Sequence, residues 1–174
     1  SRGLGDVYKR QGMNYATWKI TDELFTRPLV SRLAVIMSFG FLPLVFNIMF
    51  AYGLMYGLFF SSFAILFFLR YLRRGKARNA ILSVAMLSLA YWVRSNNIIL
   101  IIALSGILIL LTLREKRYRY LLLVLAFFAF PMSLHKATTS YYEITTHQKI
   151  PGTPQIAWLA MGLQDKPDSK RMPG

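Results

Sequence analysis

A single arginine, Arg94, separates two long apolar parts of the sequence. An arginine at the centre of a membrane costs about 2.5 to 3.5 kcal/mol, which would offset the insertion energy of the apolar residues before it. Arg94 is therefore expected at the end of a span, in a cavity or beside a partner. A guanidinium matches the geometry of a phosphate, which makes Arg94 a candidate for gripping a lipid phosphate. The alternative is an arginine that only snorkels to the lipid headgroups.

Three candidate residues lie close to Arg94 in the sequence. The side-chain amides of Asn96 and Asn97 can hydrogen-bond sugar hydroxyls or phosphate oxygens, but both residue types also form simple turns. Tyr91 lies about one helical turn before Arg94, where an aromatic ring either belongs to the interfacial belt or stacks on a sugar. The candidate substrate-binding residues are therefore Arg94, Asn96, Asn97 and Tyr91.

The elements that must position these residues are charge-free apolar runs. The segment from Leu33 to Leu69 contains no charged residue, and it is nearly long enough for two spans of about 20 residues each. Tyr52-Gly53 and Gly57 are expected to form a turn between these two spans. The sequence predicts an all-α, polytopic membrane bundle over 32–136. Its five transmembrane helices are expected at about 32–51, 54–70, 79–94, 97–113 and 119–135.

The basic residues predict the orientation of these helices. Lys and Arg number 21 against 7 Asp and Glu, a net charge of +14. Since the bases cluster between apolar runs, at Arg70–Arg78 and Arg114–Arg119, they indicate cytoplasmic loops rather than a nucleic-acid partner. The predicted location is the cell membrane, with a cytoplasmic N-terminal part. The turn at Arg94 and the segment 137–174 are then extracytoplasmic.

Composition excludes several other kinds of site. Hydrophobic residues make up 55% of the chain and charged residues 16%, which excludes disorder. The chain contains no Cys, which excludes disulfides and thiolate metal sites, and its two His are far from any acidic cluster. No metal site and no cofactor are identifiable from the residues.

The N-terminal region is expected to contribute little to the bundle. Residues 1–11 resemble a translated sequencing-adapter artefact, and the chain is therefore expected to be a fragment. Residues 12–31 are expected to form a cytoplasmic or interfacial segment, with a helix start at Thr21, Asp22 and Glu23. Pro28 is expected to end that segment before the first span.

Four stretches resemble bacterial integral-membrane glycosyltransferases of the GT-C superfamily, which includes protein O-mannosyltransferase-like enzymes. A hairpin of two spans, a basic cytoplasmic loop, an "RxN" element leading into an aliphatic span and an extracytoplasmic segment carry the likeness. They are Pro43 with Phe50-Ala51-Tyr52-Gly53, Arg70–Arg78, Tyr91–Asn97 followed by Ile98–Ala103, and Ile150-Pro151 with Trp158–Leu163.

The resemblance implies an enzyme that transfers a sugar from a polyprenyl-phosphate-linked donor at the extracytoplasmic face. Membrane lipids and this donor are the partners it implies, with Arg94 at the phosphate and Asn96 beside it. The family's acidic catalytic base is expected upstream of this chain, so no catalytic residue is assigned and the fragment alone is expected to be inactive. A divalent metal is compatible with the superfamily. The alternatives are part of a transporter or lipid flippase, and a non-catalytic membrane scaffold.

Overall fold

The computed structural model describes residues 2–40 and 54–146, and nearly all of them are helical. Six α-helices and one 3-10 turn occupy these two ranges. They are α1 (Arg2–Leu24), α2 (Pro28–Gly40), α3 (Leu54–Arg74), α4 (Ala77–Val93), the 3-10 turn Ser95–Asn97, α5 (Ile98–Glu115) and α6 (Arg119–Thr146). The predicted all-α class is therefore confirmed over the described residues. The Tyr52-Gly53 turn and most of the span expected at 32–51 lie outside them.

Left-handed residues end two of the apolar helices. Gly75 follows α3 with a φ of 63°, and its N–H donates to the carbonyl of Tyr71 at 2.8 Å. Lys116 follows α5 with a φ of 55° and donates in the same way to Thr112. Such caps satisfy the last helical carbonyls and reverse the chain. The reversals after α3 and α5 therefore both fall within the two basic clusters of the sequence.

Small side chains allow α3 and α4 to approach each other closely. Gly57, Ser61 and Ala64 follow one another along α3 at helical spacing. Ser83 of α4 donates its hydroxyl to the carbonyl of Ala64 at 3.0 Å, and both residues are fully buried. Small residues are the usual contact surface between helices that pack in a membrane. The α3–α4 pair is thus the closely packed part of the fold that supports the Arg94 turn.

The hydrophobic core lies among α3, α4, α5 and α6. Phe68 of α3 contacts Phe127 of α6, with ring centroids 6.1 Å apart, and both side chains are buried. Leu87 of α4 and Leu108 of α5 are fully buried in the same cluster. Each of the four helices therefore packs one face inward.

The helix order puts the two basic clusters at one end of this core. The rings of Tyr71, near the end of α3, and Tyr120, at the start of α6, lie 6.2 Å apart. At the other end, the rings of Tyr91 in α4 and His135 in α6 lie 5.8 Å apart. We call the first the basic end and the second the Arg94 end. The two basic clusters therefore lie at one end of the core and the Arg94 turn at the other.

The expected helix start at Thr21, Asp22 and Glu23 is wrong, because these residues form the last turn of α1. Local preference favours acidic residues at a helix N-terminus, where they complement the dipole. Here a tertiary contact outweighs that preference: Glu23 lies against three arginines of α3. Helix α2 does begin at Pro28, as the proline predicts.

Helix α1 lies lengthwise along α3. A side chain at Gly12 would overlap the ring of Phe59 in α3. Twelve residues or so further on, Glu23 contacts Arg70 and Arg74 near the end of α3. The two helices are therefore parallel neighbours over most of their length.

Three helical segments are long and apolar enough to cross a membrane. They are Met55–Arg74, Ser95–Glu115 and Arg119–Thr145, while α2 and α4 are shorter apolar helices. Large apolar side chains also point outward, such as Ile99 and Leu113, each 72% exposed. Lipid tails would cover these side chains in a bilayer, so the architecture is consistent with a helical membrane protein.

By its contacts the chain forms two compact units, Ser1–Ala137 and Thr138–Gly174. All the features described below belong to the first unit. Of the second unit, which overlaps the segment expected outside the membrane, the structure describes only the helical residues up to Thr146.

Candidate functional site

The turn between α4 and α5 forms because four consecutive residues interrupt the helix. Arg94 is extended, with φ −149° and ψ 109°, and its N–H donates to the carbonyl of Ala90 at 3.0 Å. Ser95, Asn96 and Asn97 then make one 3-10 turn, since Ser and Asn side chains compete with helical hydrogen bonds. The N–H of Asn97 donates to the carbonyl of Arg94 at 3.0 Å, which closes the turn.

The side chain of Asn97 ties this turn to two helices. Its Nδ2 donates to the carbonyl of Ala90 at 2.7 Å, so it reaches back across the end of α4. Its Oδ1 accepts a hydrogen bond from the Ser61 hydroxyl of α3 at 3.3 Å. Asn97 was a candidate for binding substrate; the structure instead engages both ends of its amide in holding the turn.

A glycine of α3 makes room for the same side chain. A Cβ added at Gly57 would lie 3.2 Å from Asn97 Nδ2 and 3.7 Å from the Cβ of Arg94. The expectation that Gly57 belongs to a turn is therefore wrong: it lies within α3, and the turn of Arg94 packs on it. The spacing of Gly57 and Ser61, four residues apart, is the sequence signal for this contact.

Arg94 itself is half-buried, and its guanidinium has no polar partner in the described parts of the chain. Neither a hydrogen bond nor an ion pair joins it to residues 2–40 or 54–146. Asn96, directly beside it, is exposed. The structure thus brings Arg94 and Asn96 together at the surface of the Arg94 end. Their five N–H and two amide N–H donors can meet an anion there.

Tyr91 lies deeper than the other candidates. Its ring is half-buried against the hydrophobic core and meets the imidazole of His135 edge-on, with centroids 5.8 Å apart. Trp92, which is 49% exposed, presents more aromatic surface at this end. The geometry therefore favours a supporting role for Tyr91.

The basic end contains a second charged arrangement that sequence reasoning missed. Glu23, only 12% exposed, lies 3.4 Å from Arg70, 3.5 Å from Arg73 and 3.2 Å from Arg74. The sequence signal for this arrangement is that acidic residues are rare. Asp22 and Glu23 are the only ones between Gly12 and Arg114. Two acidic residues among so many bases are expected to form ion pairs.

Neither end shows the donor set of a metal site. Within residues 2–40 and 54–146, no three His, Asp or Glu side chains are grouped closely enough to bind a metal ion. Arg94 and Asn96 are therefore suited to hydrogen-bonding an anion rather than to acid–base work.

Comparisons with protein-family models, with curated proteins and with solved structures found no match to this chain. Any functional assignment therefore depends on the residues and their geometry alone.

Proposed function

We propose that the chain is the membrane-embedded part of a glycosyltransferase that transfers a sugar from a polyprenyl-phosphate-linked donor at the extracytoplasmic face. In this proposal five helices span the bilayer, the basic end faces the cytoplasm, and Arg94 binds the donor phosphate. Asn96 contributes a second donor. No residue of this chain is assigned as the acidic base that activates the acceptor, so the proposed role of the chain is to bind the donor.

The observation that carries the proposal is the lack of a carboxylate or other polar partner for the Arg94 guanidinium within the described residues. The positive-inside rule disfavours an arginine on the outer side of a membrane, so the proposed outer position of Arg94 calls for an anion. A phosphate at the level of the headgroups supplies that anion. In the transfer reaction the phosphate leaves with extra negative charge, and a fixed cation beside it stabilises that charge.

The packing beneath Arg94 supports this role. Arg94 lies in a turn in which its own N–H and carbonyl both form backbone hydrogen bonds, and its Cβ lies against Gly57. Asn97 joins the same turn to α3 through Ser61. A cation is more effective when its stem is already positioned, because less conformational freedom is lost on binding. The close-packed α3–α4 pair therefore acts as the platform for the guanidinium.

The direct test measures binding of a polyprenyl phosphate to the purified chain in detergent, with the bound lipid detected by native mass spectrometry. Arg94→Ala is expected to weaken binding by about tenfold or more, because hydrogen bonds to charged groups contribute about 1.5 to 3 kcal/mol. Arg94→Lys is expected to recover part of the loss, since an ammonium lacks the planar fork.

Arg114→Ala is the matched control, because Arg114 is an exposed arginine near the basic end. Its substitution is expected to leave polyprenyl-phosphate binding unchanged. Wild-type binding by Arg94→Ala, or an equal loss in both alanine variants, would contradict the proposal.

A further inference from the structure

A groove of about 840 Å³ lies between α4 and α6, on a different face of α4 from the contact with α3. Its wall is almost entirely apolar, and five alanines leave the space open. They are Ala77, Ala80, Ala85, Ala126 and Ala137. At its rim, Ile81 and Phe130 are 69% and 61% exposed, so the groove opens to the surroundings of the bundle. In a membrane those surroundings are lipid chains.

The length of the groove fits a membrane lipid. Along α6 its wall extends from Arg119 to Ala137, which at 1.5 Å per residue is about 27 Å. The hydrocarbon core of a bilayer is about 30 Å thick. One extended lipid chain that enters at one end therefore has apolar wall beside it over nearly its whole length.

Among the described residues that line the groove, Arg119 is the only charged one, and it lies at the basic end. Its guanidinium lies over the ring of Tyr120, 5.3 Å from the centroid, and it forms no ion pair with a carboxylate in the described part of the chain. The nearby Glu115 instead pairs with Arg117 at 3.6 Å and accepts a hydrogen bond from Tyr120. The charge at this mouth is therefore positive, which suits an anionic headgroup.

We infer that this groove binds an anionic phospholipid, with its phosphate at Arg119 and one of its chains along α4 and α6. The lipid enters from the leaflet at the basic end. The phosphate position is distinct from Arg94, because Arg119 lies at the basic end of the groove whereas the Arg94 turn packs on Gly57 at the other end of the bundle. The inference does not depend on the proposed glycosyltransferase activity.

The test uses the purified whole chain, incubated with equal amounts of phosphatidylglycerol and phosphatidylcholine that have the same chains. Native mass spectrometry then measures which lipid is retained. We expect phosphatidylglycerol to be retained about fivefold better, since one basic residue near a membrane surface attracts an anionic lipid by about that factor. Arg119→Gln is expected to remove this preference, while Arg114→Gln leaves it unchanged.

Variants with larger side chains in the groove test where the lipid chain lies. Ala85 is exposed at the rim, so Ala85→Phe is expected to fold and to reduce retention of both lipids. Ala126→Leu, in the opposite wall, provides a second test, and far-UV circular dichroism verifies that each variant is helical. The inference is overturned if Arg119→Gln keeps the preference. It is equally overturned if both folded groove variants retain lipid like the wild type, or if a second copy of the chain occupies the groove and forms a dimer that excludes lipid.

Discussion

At the basic end three arginines share one carboxylate, whereas at the Arg94 end one arginine has no carboxylate within the described residues. Glu23 lies within 3.5 Å of its arginines and is largely shielded from solvent. Arg94 is instead positioned by a glycine and by the amide of Asn97, neither of which neutralises its charge. The basic end thus uses an internal anion to join α1 to α3. At the Arg94 end, no carboxylate of the described residues neutralises the cation.

The two ends are stabilised by different kinds of interaction. A carboxylate among three guanidinium groups gains Coulomb energy that increases as solvent is excluded. A turn held by neutral hydrogen bonds gains less but is insensitive to salt. Substitutions at the two ends should therefore differ in size and in salt dependence, and four of them test the comparison.

The largest effect is expected from Gly57→Leu. A Cβ at this position is already within 3.2 Å of Asn97, so a leucine forces α3 away from the Arg94 turn. We expect the free energy of unfolding to fall by about 3 kcal/mol, the upper end for overpacked sites. Far-UV circular dichroism during unfolding in mixed micelles measures it. Gly106→Leu is the control, because nothing lies within 4 Å of a Cβ there. Equal losses in the two variants would contradict the close packing of the turn.

Glu23→Gln is expected to rank second. It leaves Arg70, Arg73 and Arg74 without their shared carboxylate and should lower the free energy of unfolding by about 2 kcal/mol at low salt. Raising the ionic strength should shrink this loss, because the exposed arginines are screened. Glu115→Gln, whose carboxylate is 39% exposed and pairs with one arginine, should cost about 0.5 kcal/mol. A loss for Glu23→Gln that does not change with salt would indicate packing rather than charge.

Asn97→Ala is expected to lower the free energy of unfolding by about 1 kcal/mol through loss of its two side-chain hydrogen bonds. The exposed neighbour Asn96 is the matched control, and Asn96→Ala should change stability by less than about 0.5 kcal/mol. Neither loss should depend on salt. If Asn96→Ala proved as destabilising as Asn97→Ala, the conclusion that Asn97 holds the turn and Asn96 does not would be incorrect.

The smallest effect on stability is expected from Arg94→Ala, at less than about 0.5 kcal/mol, because no described side chain pairs with its guanidinium. The same variant should lose polyprenyl-phosphate binding. A residue retained for folding would show the opposite pattern, with a large loss of stability. Measuring both quantities on one preparation separates a binding arginine from a structural one.

Much of the bundle could be predicted from the sequence. The helices expected at 54–70, 79–94 and 97–113 coincide with α3, α4 and α5 to within a few residues, because charge-free apolar runs between basic clusters favour helices. Of these three, only α3 and α5 are long and apolar enough to cross a membrane, so the expected count of five spans is not confirmed. The span expected at 119–135 begins where α6 begins, but the helix continues to Thr146. The position of the Arg94 turn also followed from the cost of placing a charge among apolar residues.

What could not be predicted depends on contacts between distant residues. The acidic pair at the end of α1 looks like a helix start until Arg70 and Arg74 are known to lie beside Glu23. Gly57 looks like a turn residue until Asn97 is seen against it. In both cases the deciding partner is about 40 or 50 residues away, and local patterns carry no information about it.

The central claim is that the two ends of the bundle lie on opposite sides of a membrane, with Arg94 on the outer side. The chain contains no Cys, so single cysteines can be introduced at Ser95 and at Lys76 without further substitution. Intact cells that express each variant are treated with a membrane-impermeant maleimide. The account predicts labelling of Ser95→Cys, with Lys76→Cys labelled only after the cells are opened. Labelling of Lys76→Cys but not Ser95→Cys in intact cells would contradict it.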